Sequence, residues 1–311
     1  MTLWLGLPLL CGLAFPVVAW LLKRGMETSR DPWGALMISG VGAAIPFVLM
    51  SVVMGGDGHA GASASAPDGV RVFGVTVPPL ALACGAFFFA GQMASYLSLA
   101  KGDLSVAIPV QGVKILLISL FALVFLGQPA GWTIWAAAVL VPAALYFMRE
   151  HPPGAREARR HRVTIALALT AAAGFAALDT GVQAWGGGED FLRFGLWTFT
   201  FQAVLSLGLY FMPGRAARFR YSGRAWGFLL AGSLSMAVIT FTIVWVIAQT
   251  GRAAWVNILF NSRVLWSAAL PLVFGRLLAA PEAMNRATRR LLPGRLFGAL
   301  LMLASIVLAV L

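Results

Sequence analysis

Apolar residues run along this chain in long blocks separated by short polar stretches. A bilayer's hydrocarbon core takes about 20 mostly apolar residues per helical span. Ten blocks follow that pattern, over residues 3–22, 33–54, 76–99, 104–126, 132–149, 163–184, 193–212, 225–248, 253–275 and 295–311. Little sequence is left between them for a globular domain. The expectation is an all-α integral membrane protein with ten transmembrane helices. Composition agrees, with 60% hydrophobic and 11% charged residues over 311 positions. A soluble domain carries about a quarter charged residues.

The polar punctuation carries topology. With ten spans the connections alternate between two sides, and eighteen cations fall on one side. Arg71, Arg193 and Arg252 fall on the other, which leaves Lys114 and Arg263 inside spans. The basic side is cytoplasmic by the positive-inside rule, so both termini are expected outside a bacterial-type inner membrane. The net charge of +12 is thereby a topology signal and not a nucleic-acid footprint. Met1 to Leu10 holds no Lys or Arg, so it lacks the basic start of a signal peptide and reads as a retained first span. Cys11 and Cys84 lie within apolar blocks and behave as small hydrophobes. His59 belongs to the Gly/Ala/Ser-rich segment Gly55–Val70, and His151 and His161 sit among arginines. No metal site or cofactor is expected.

Residues 151–162 form a basic linker between two sets of five spans, residues 1–150 and 163–311. An odd number of spans per half sends the halves through the membrane in opposite directions. The expected architecture is therefore two inverted five-helix repeats. The fourth and ninth spans support it. GDLSVAIPVQGVKILLISLFALVFLG, Gly102–Gly127, slides by 149 positions onto GRAAWVNILFNSRVLWSAALPLVFGR, Gly251–Arg276. Lys114 then falls on Arg263, Leu116 on Leu265, and Leu123-Val124-Phe125 on Leu272-Val273-Phe274.

A charge at mid-bilayer costs about 2.5–3.5 kcal/mol on insertion scales, so a lysine there calls for a reason. Lys114 shares a helical face with Ala107, Val110, Gln111 and Ile118. Pro109 is expected to bend or open the helix one turn earlier. The competing reading is a lysine salt-bridged within the bundle, or one snorkelling to an interface. Arg263 has Asn257, Phe260 and Ser267 on its face, with Asn261 and Trp266 nearby. Its planar fork suits a carboxylate or phosphate, and the competing role is a structural tie to asparagines or carbonyls. Asp179 in the sixth span reads as a counter-charge, a proton carrier, or a helix-end cap near Gly186–Gly188. Gln92, like Gln202, Thr240 and Thr242, either lines a cavity or makes interhelical hydrogen bonds. Two cations against one acid leave an excess of positive charge that an anionic ligand would compensate. No GxSxG, CxxC, HExxH or P-loop pattern occurs where a membrane enzyme needs it, so catalysis is not expected.

The segment Tyr96–Gly127, YLSLAKGDLSVAIPVQGVKILLISLFALVFLG, resembles the drug/metabolite transporter superfamily, in particular its ten-helix EamA-type members. The likeness lies in the end of the third span, a short Gly/Asp turn, a Pro-containing fourth span and an LG exit. Val244–Arg276 repeats it more weakly, and the five-plus-five plan covers essentially the whole chain. The resemblance implies alternating access around a central cavity lined by helices three, four, eight and nine. Gln128 departs from the pattern, standing where the family has an acid. The termini are a second departure, since well-known members keep them inside. The expected function is secondary transport of a small organic anion or zwitterionic metabolite, with membrane lipids as the surrounding partner. Lys114 and Arg263 would hold the anionic group. Gln111, Asn257, Asn261 and Gln92 would orient the rest, and Trp266 and Phe260 would pack on its apolar part. Alternatives are an exporter of amino acids or drugs, and a lipid-linked substrate translocase or membrane enzyme.

Overall fold

The computed structural model describes residues 2–29, 31–54, 70–72, 75–101, 110–148, 158–187, 191–212, 221–263, 265–266 and 287–310. Ten helices occur among them. The first five are α1 (Thr2–Ser29), α2 (Pro32–Met54), α3 (Pro79–Lys101), α4 (Lys114–Leu126) and α5 (Trp132–Met148). The second five are α6 (Ala158–Trp185), α7 (Phe191–Tyr210), α8 (Gly223–Thr250), α9 (Ala253–Phe260) and α10 (Ala287–Val310). Among the described residues the fold is all-α apart from one antiparallel hairpin, β1 (Val70–Val72) with β2 (Val75–Val77), in which Val70 faces Val77. Five helices, α1, α2, α3, α6 and α8, are long and apolar enough to cross a membrane. Apolar side chains such as Val52, Val124, Phe125 and Val238 stand open on the outside of the bundle. That is what lipid-facing positions look like, and the fold fits a multi-pass membrane protein.

Local chemistry explains where helices start and stop. Pro32 begins α2, where its missing N–H costs nothing, and the Asp31 carboxylate accepts the Trp33 N–H at 3.0 Å. Ser222 caps α8 by accepting from Ala225 N–H at 3.3 Å. Gly127 and Gly251 end α4 and α8 in the left-handed region, at φ 61° and 63°, where a side chain would strain the backbone. Several blocks differ from their sequence-based bounds: the first runs on to Ser29 and the tenth starts at Ala287. The third starts at Pro79 because the β-branched residues before it pair as a hairpin. The fourth and ninth yield regular helices of only 13 and 8 residues, for reasons given below. The end of the linker, residues 158–162, is the first turn of α6, while 151–157 lie outside the described residues.

Small residues set the packing. Leu22 and Gly25 of α1 lie against Gly232 and Leu229 of α8, which runs antiparallel to it. Gly91 of α3 lies against Gly174 of α6, also antiparallel, and Cys84 faces Gly181 in the same contact. α2 packs on both α7 and α8, α3 on both α6 and α7, and α5 on α10. Phe47 fills the centre of the first group, stacked on Phe199 at 4.5 Å between ring centroids. Close approach through glycine and alanine is how membrane helices gain contact without a hydrophobic drive.

At the end of the bundle that carries the α1–α2 turn, polar side chains tie helices together. Ser39 of α2 hydrogen-bonds both Tyr96 of α3 and Ser233 of α8. Asp31, only 3% exposed, accepts from the Tyr221 hydroxyl at 2.6 Å. Any side chain at Gly34 would strike that hydroxyl, so the contact requires glycine there. Burial, and then the hydrogen bond to Asp31, hold the Tyr221 phenol well above its usual range. An unfolded tyrosine ionises near pH 10, so this stabilisation is whole below about that pH and is lost as pH climbs toward the folded value. Tyr221→Phe should therefore flatten the fall in melting temperature above about pH 10. At neutral pH it should cost about 1.5 kcal/mol, the low end for a hydrogen bond to a charged group, because Tyr221 is half-buried. A pH series of thermal melts on both proteins checks both effects.

Candidate functional site

Lys114 begins α4 instead of lying midway along a continuous helix. Val110 and Gln111 are helical, Gly112 and Val113 form a turn, and regular helix starts at Lys114. Val113 N–H donates to the Val110 carbonyl at 3.1 Å, a tight three-residue step, and Leu117 N–H donates to Val113 at 3.1 Å. The same break recurs in α9. Asn261 and Ser262 form the turn and helix resumes at Arg263. Ser262 N–H donates to Leu259 at 3.1 Å, and Trp266 N–H to Ser262 at 3.3 Å. Moving each donor and acceptor of the first pair by 149 positions produces the second. Tight turns inside a helix frequently mark a hinge or a working site. Pro109, the expected cause in α4, lies outside the described residues.

Both cations reach across to the other half of the chain. Lys114 Nζ lies 2.7 Å from Asp179 Oδ2 of α6 and 5.7 Å from the ring centre of Phe175, one turn earlier. The same carboxylate oxygen accepts from Asn257 Nδ2 of α9 at 2.6 Å, and that amide also donates to the Ala253 carbonyl at 2.9 Å. Three helices thus meet at one carboxylate that is 3% exposed. Arg263 lies over Phe15 of α1 at 4.4 Å and Phe260 of α9 at 4.8 Å, two rings that meet edge to face at 5.5 Å. A guanidinium against ring faces gains by cation–π attraction, more when water is excluded. Four residues beyond Phe175 comes Asp179, whereas four beyond Phe15 comes Ala19.

One turn above the carboxylate, a second bridge joins the same helices. Gln183 of α6 accepts the Ala253 N–H at 2.9 Å and donates to Gln128 at 2.7 Å. Ala253 opens α9, whose first N–H groups have no acceptor within the helix, so Gln183 serves as its cap. Gln128, the departure from the family pattern at the α4 exit, is the other end of this bridge.

The structure brings Lys114, Asp179 and Asn257 together, and sets Arg263 with Phe260. Gln111 Nε2 turns to Ser95 of α3 at 3.3 Å, so it flanks Lys114 without touching the carboxylate. Asn261 is buried in the α9 break, where its N–H bonds Asn257 and Ile258 carbonyls. Gln92 joins Gln202 of α7 at 3.0 Å and is an interhelical tie, the commoner of its two readings. Trp266 is 39% exposed, more open than a residue closing over a ligand. Ala107 and Ser267 lie outside the described residues. Sequence reasoning missed Phe15, Phe175, Ser95 and Gln183. For Phe175 a signal existed: it stands four residues before Asp179, on one helical face.

No family model and no curated protein matches this chain. A solved structure described only as "Crystal structure of protein" is similar to it, with a TM-score of 0.64, covering 95% of this chain and 98% of that one. The two are 17% identical, so the likeness is one of fold alone.

Proposed function

We propose that this chain is a secondary transporter of the drug/metabolite superfamily type, built from two inverted five-helix repeats. It would move a small organic anion or zwitterion across the cytoplasmic membrane by alternating access. The observation that carries the reading is the pair of helix breaks, 149 residues apart, each followed by a cation that engages the opposite half. Discontinuous helices in matching places of two halves are where transporters build their binding sites. The neighbours support the repeat. Exchanging each helix for its counterpart five places on turns α1–α8 into α6–α3, α2–α8 into α7–α3 and α4–α6 into α9–α1, and all are packed pairs. α2–α7 and α5–α10 map onto themselves.

The cargo follows from what the site already holds. The Lys114 ammonium and the Asn257 amide grip a carboxylate, that of Asp179, and the same donors suit a carboxylate brought by a ligand. A zwitterion is the second reading, because an ammonium and a carboxylate 2.7 Å apart offer it one partner for each end. Arg263, Phe260 and Asn261 would hold the remainder. Purified protein in proteoliposomes, offered monocarboxylates, amino acids and phosphate esters, tests this. Lys114→Met and Arg263→Gln should each abolish uptake while the protein still inserts. Undiminished transport by both variants sinks the proposal. A thermal-shift screen against the same compounds finds the cargo, since a ligand of the folded state raises its apparent stability.

A further inference from the structure

We infer that an anion taking Lys114 drives a proton onto Asp179, so that anion binding and proton uptake are one event. The inference rests on the transport reading only for what the anion is. Asp179 Oδ2 holds Lys114 at 2.7 Å and accepts from the Asn257 amide at 2.6 Å. A second carboxylate on the same ammonium places two like charges around one cation and removes the balance that Asp179 now has. An ionised carboxylate stripped of its counter-charge in an apolar interior neutralises instead of staying charged. Protonated, Asp179 still accepts from Asn257 and gains an O–H that can donate to the incoming carboxylate.

Among the described residues, the helices packed on α6 offer no replacement for Lys114. α4 presents Lys114 itself, and α9 presents Asn257. α3 presents Cys84 against Gly181, and its Tyr96 is held by Ser39. α8 contributes Ile243, Val244 and Ile247 to the buried cluster that includes Leu178 and Val182 of α6. Arg263 lies over Phe15 and Phe260, while Arg224 and Arg252 are exposed at helix starts. Charge balances on both sides of the exchange. An Asp179 carboxylate paired with the Lys114 ammonium becomes a neutral acid beside that ammonium paired with the ligand. One proton enters from water with each anion, and the net charge of the site does not change.

Removing the ammonium imitates its capture, so the test needs no ligand. Infrared spectra of purified Lys114→Met at pH 7 should show the carbonyl stretch of a buried carboxylic acid. Wild type should lack that band, and so should the double variant Lys114→Met/Asp179→Asn. Lys114→Gln, which keeps a neutral polar side chain, should show it too and covers a failure of the methionine variant to fold. An absent band in the folded single variants, or one that survives Asp179→Asn, overturns the inference. Transport assays fail or succeed independently of this spectrum, so the two proposals can fall separately.

Discussion

Asp179→Asn should lose about 3–5 kcal/mol of stability, the usual penalty for leaving one member of a buried pair without the other. Lys114 keeps 21% of its side chain open, which sets the expectation at the lower end of that range. An asparagine can still engage Asn257, so the loss reports the missing charge more than the missing hydrogen bond. Removing both charges, in Lys114→Met/Asp179→Asn, should restore most of it, because replacing a whole buried pair by neutral groups is often without cost. Unfolding measured for the wild type, both single variants and the double variant gives the coupling directly. If the penalties of the single variants simply add, the pair is an accident of proximity. The restored double variant should nevertheless be inactive, which separates folding from function.

The second large effect is expected at Gly174. A Cβ there would lie 2.5 Å from the Phe87 carbonyl oxygen and 2.8 Å from Gly91 Cα, both backbone atoms of α3 that cannot swing aside. Gly174→Val should push α6 off α3 and cost at least the 1–3 kcal/mol or so of an overpacked core. Asp179 rides on the same helix just over one turn further on, so the shift should also weaken its hold on Lys114. Gly208→Ala is the control. Nothing lies within 4 Å of its new methyl group, and in a helix interior alanine is preferred to glycine by about 1 kcal/mol. Melting temperatures should fall for the first variant and hold or rise for the second. Equal losses in both would mean that helix propensity, and not the α3–α6 contact, governs the effect.

Much of the plan was legible in the sequence. Hydropathy placed each helix on an apolar block but not its ends: α1 runs on to Ser29, α10 starts at Ala287, and α4 and α9 cover only part of their blocks. Lys114, Arg263 and Asp179 stood out because charge in an apolar run is rare. The 149-residue offset, read from a cation and a few apolar matches, carries over to individual backbone hydrogen bonds. What the sequence hid was direction. Lys114 and Asp179 are 65 positions apart on different helices, and no periodicity says which faces meet. Gln92 shows the same blindness, since its partner Gln202 sits on α7 and only packing reveals it. An opening near Pro109 was expected, but its place at Gly112 and Val113 was not, because each residue there is tolerable in a helix. Phe15 was lost among 21 phenylalanines.

The change from Asp179 on one arm to Ala19 on the other has a directional consequence. Two arms built to one plan would let a cargo settle either way round. A single oxygen-bearing group spoils that equivalence: one flank presents both electrical signs, the other a guanidinium framed by rings. Under the proposed transport function, a passenger with unlike tips would meet a keyed seat and travel with a fixed heading.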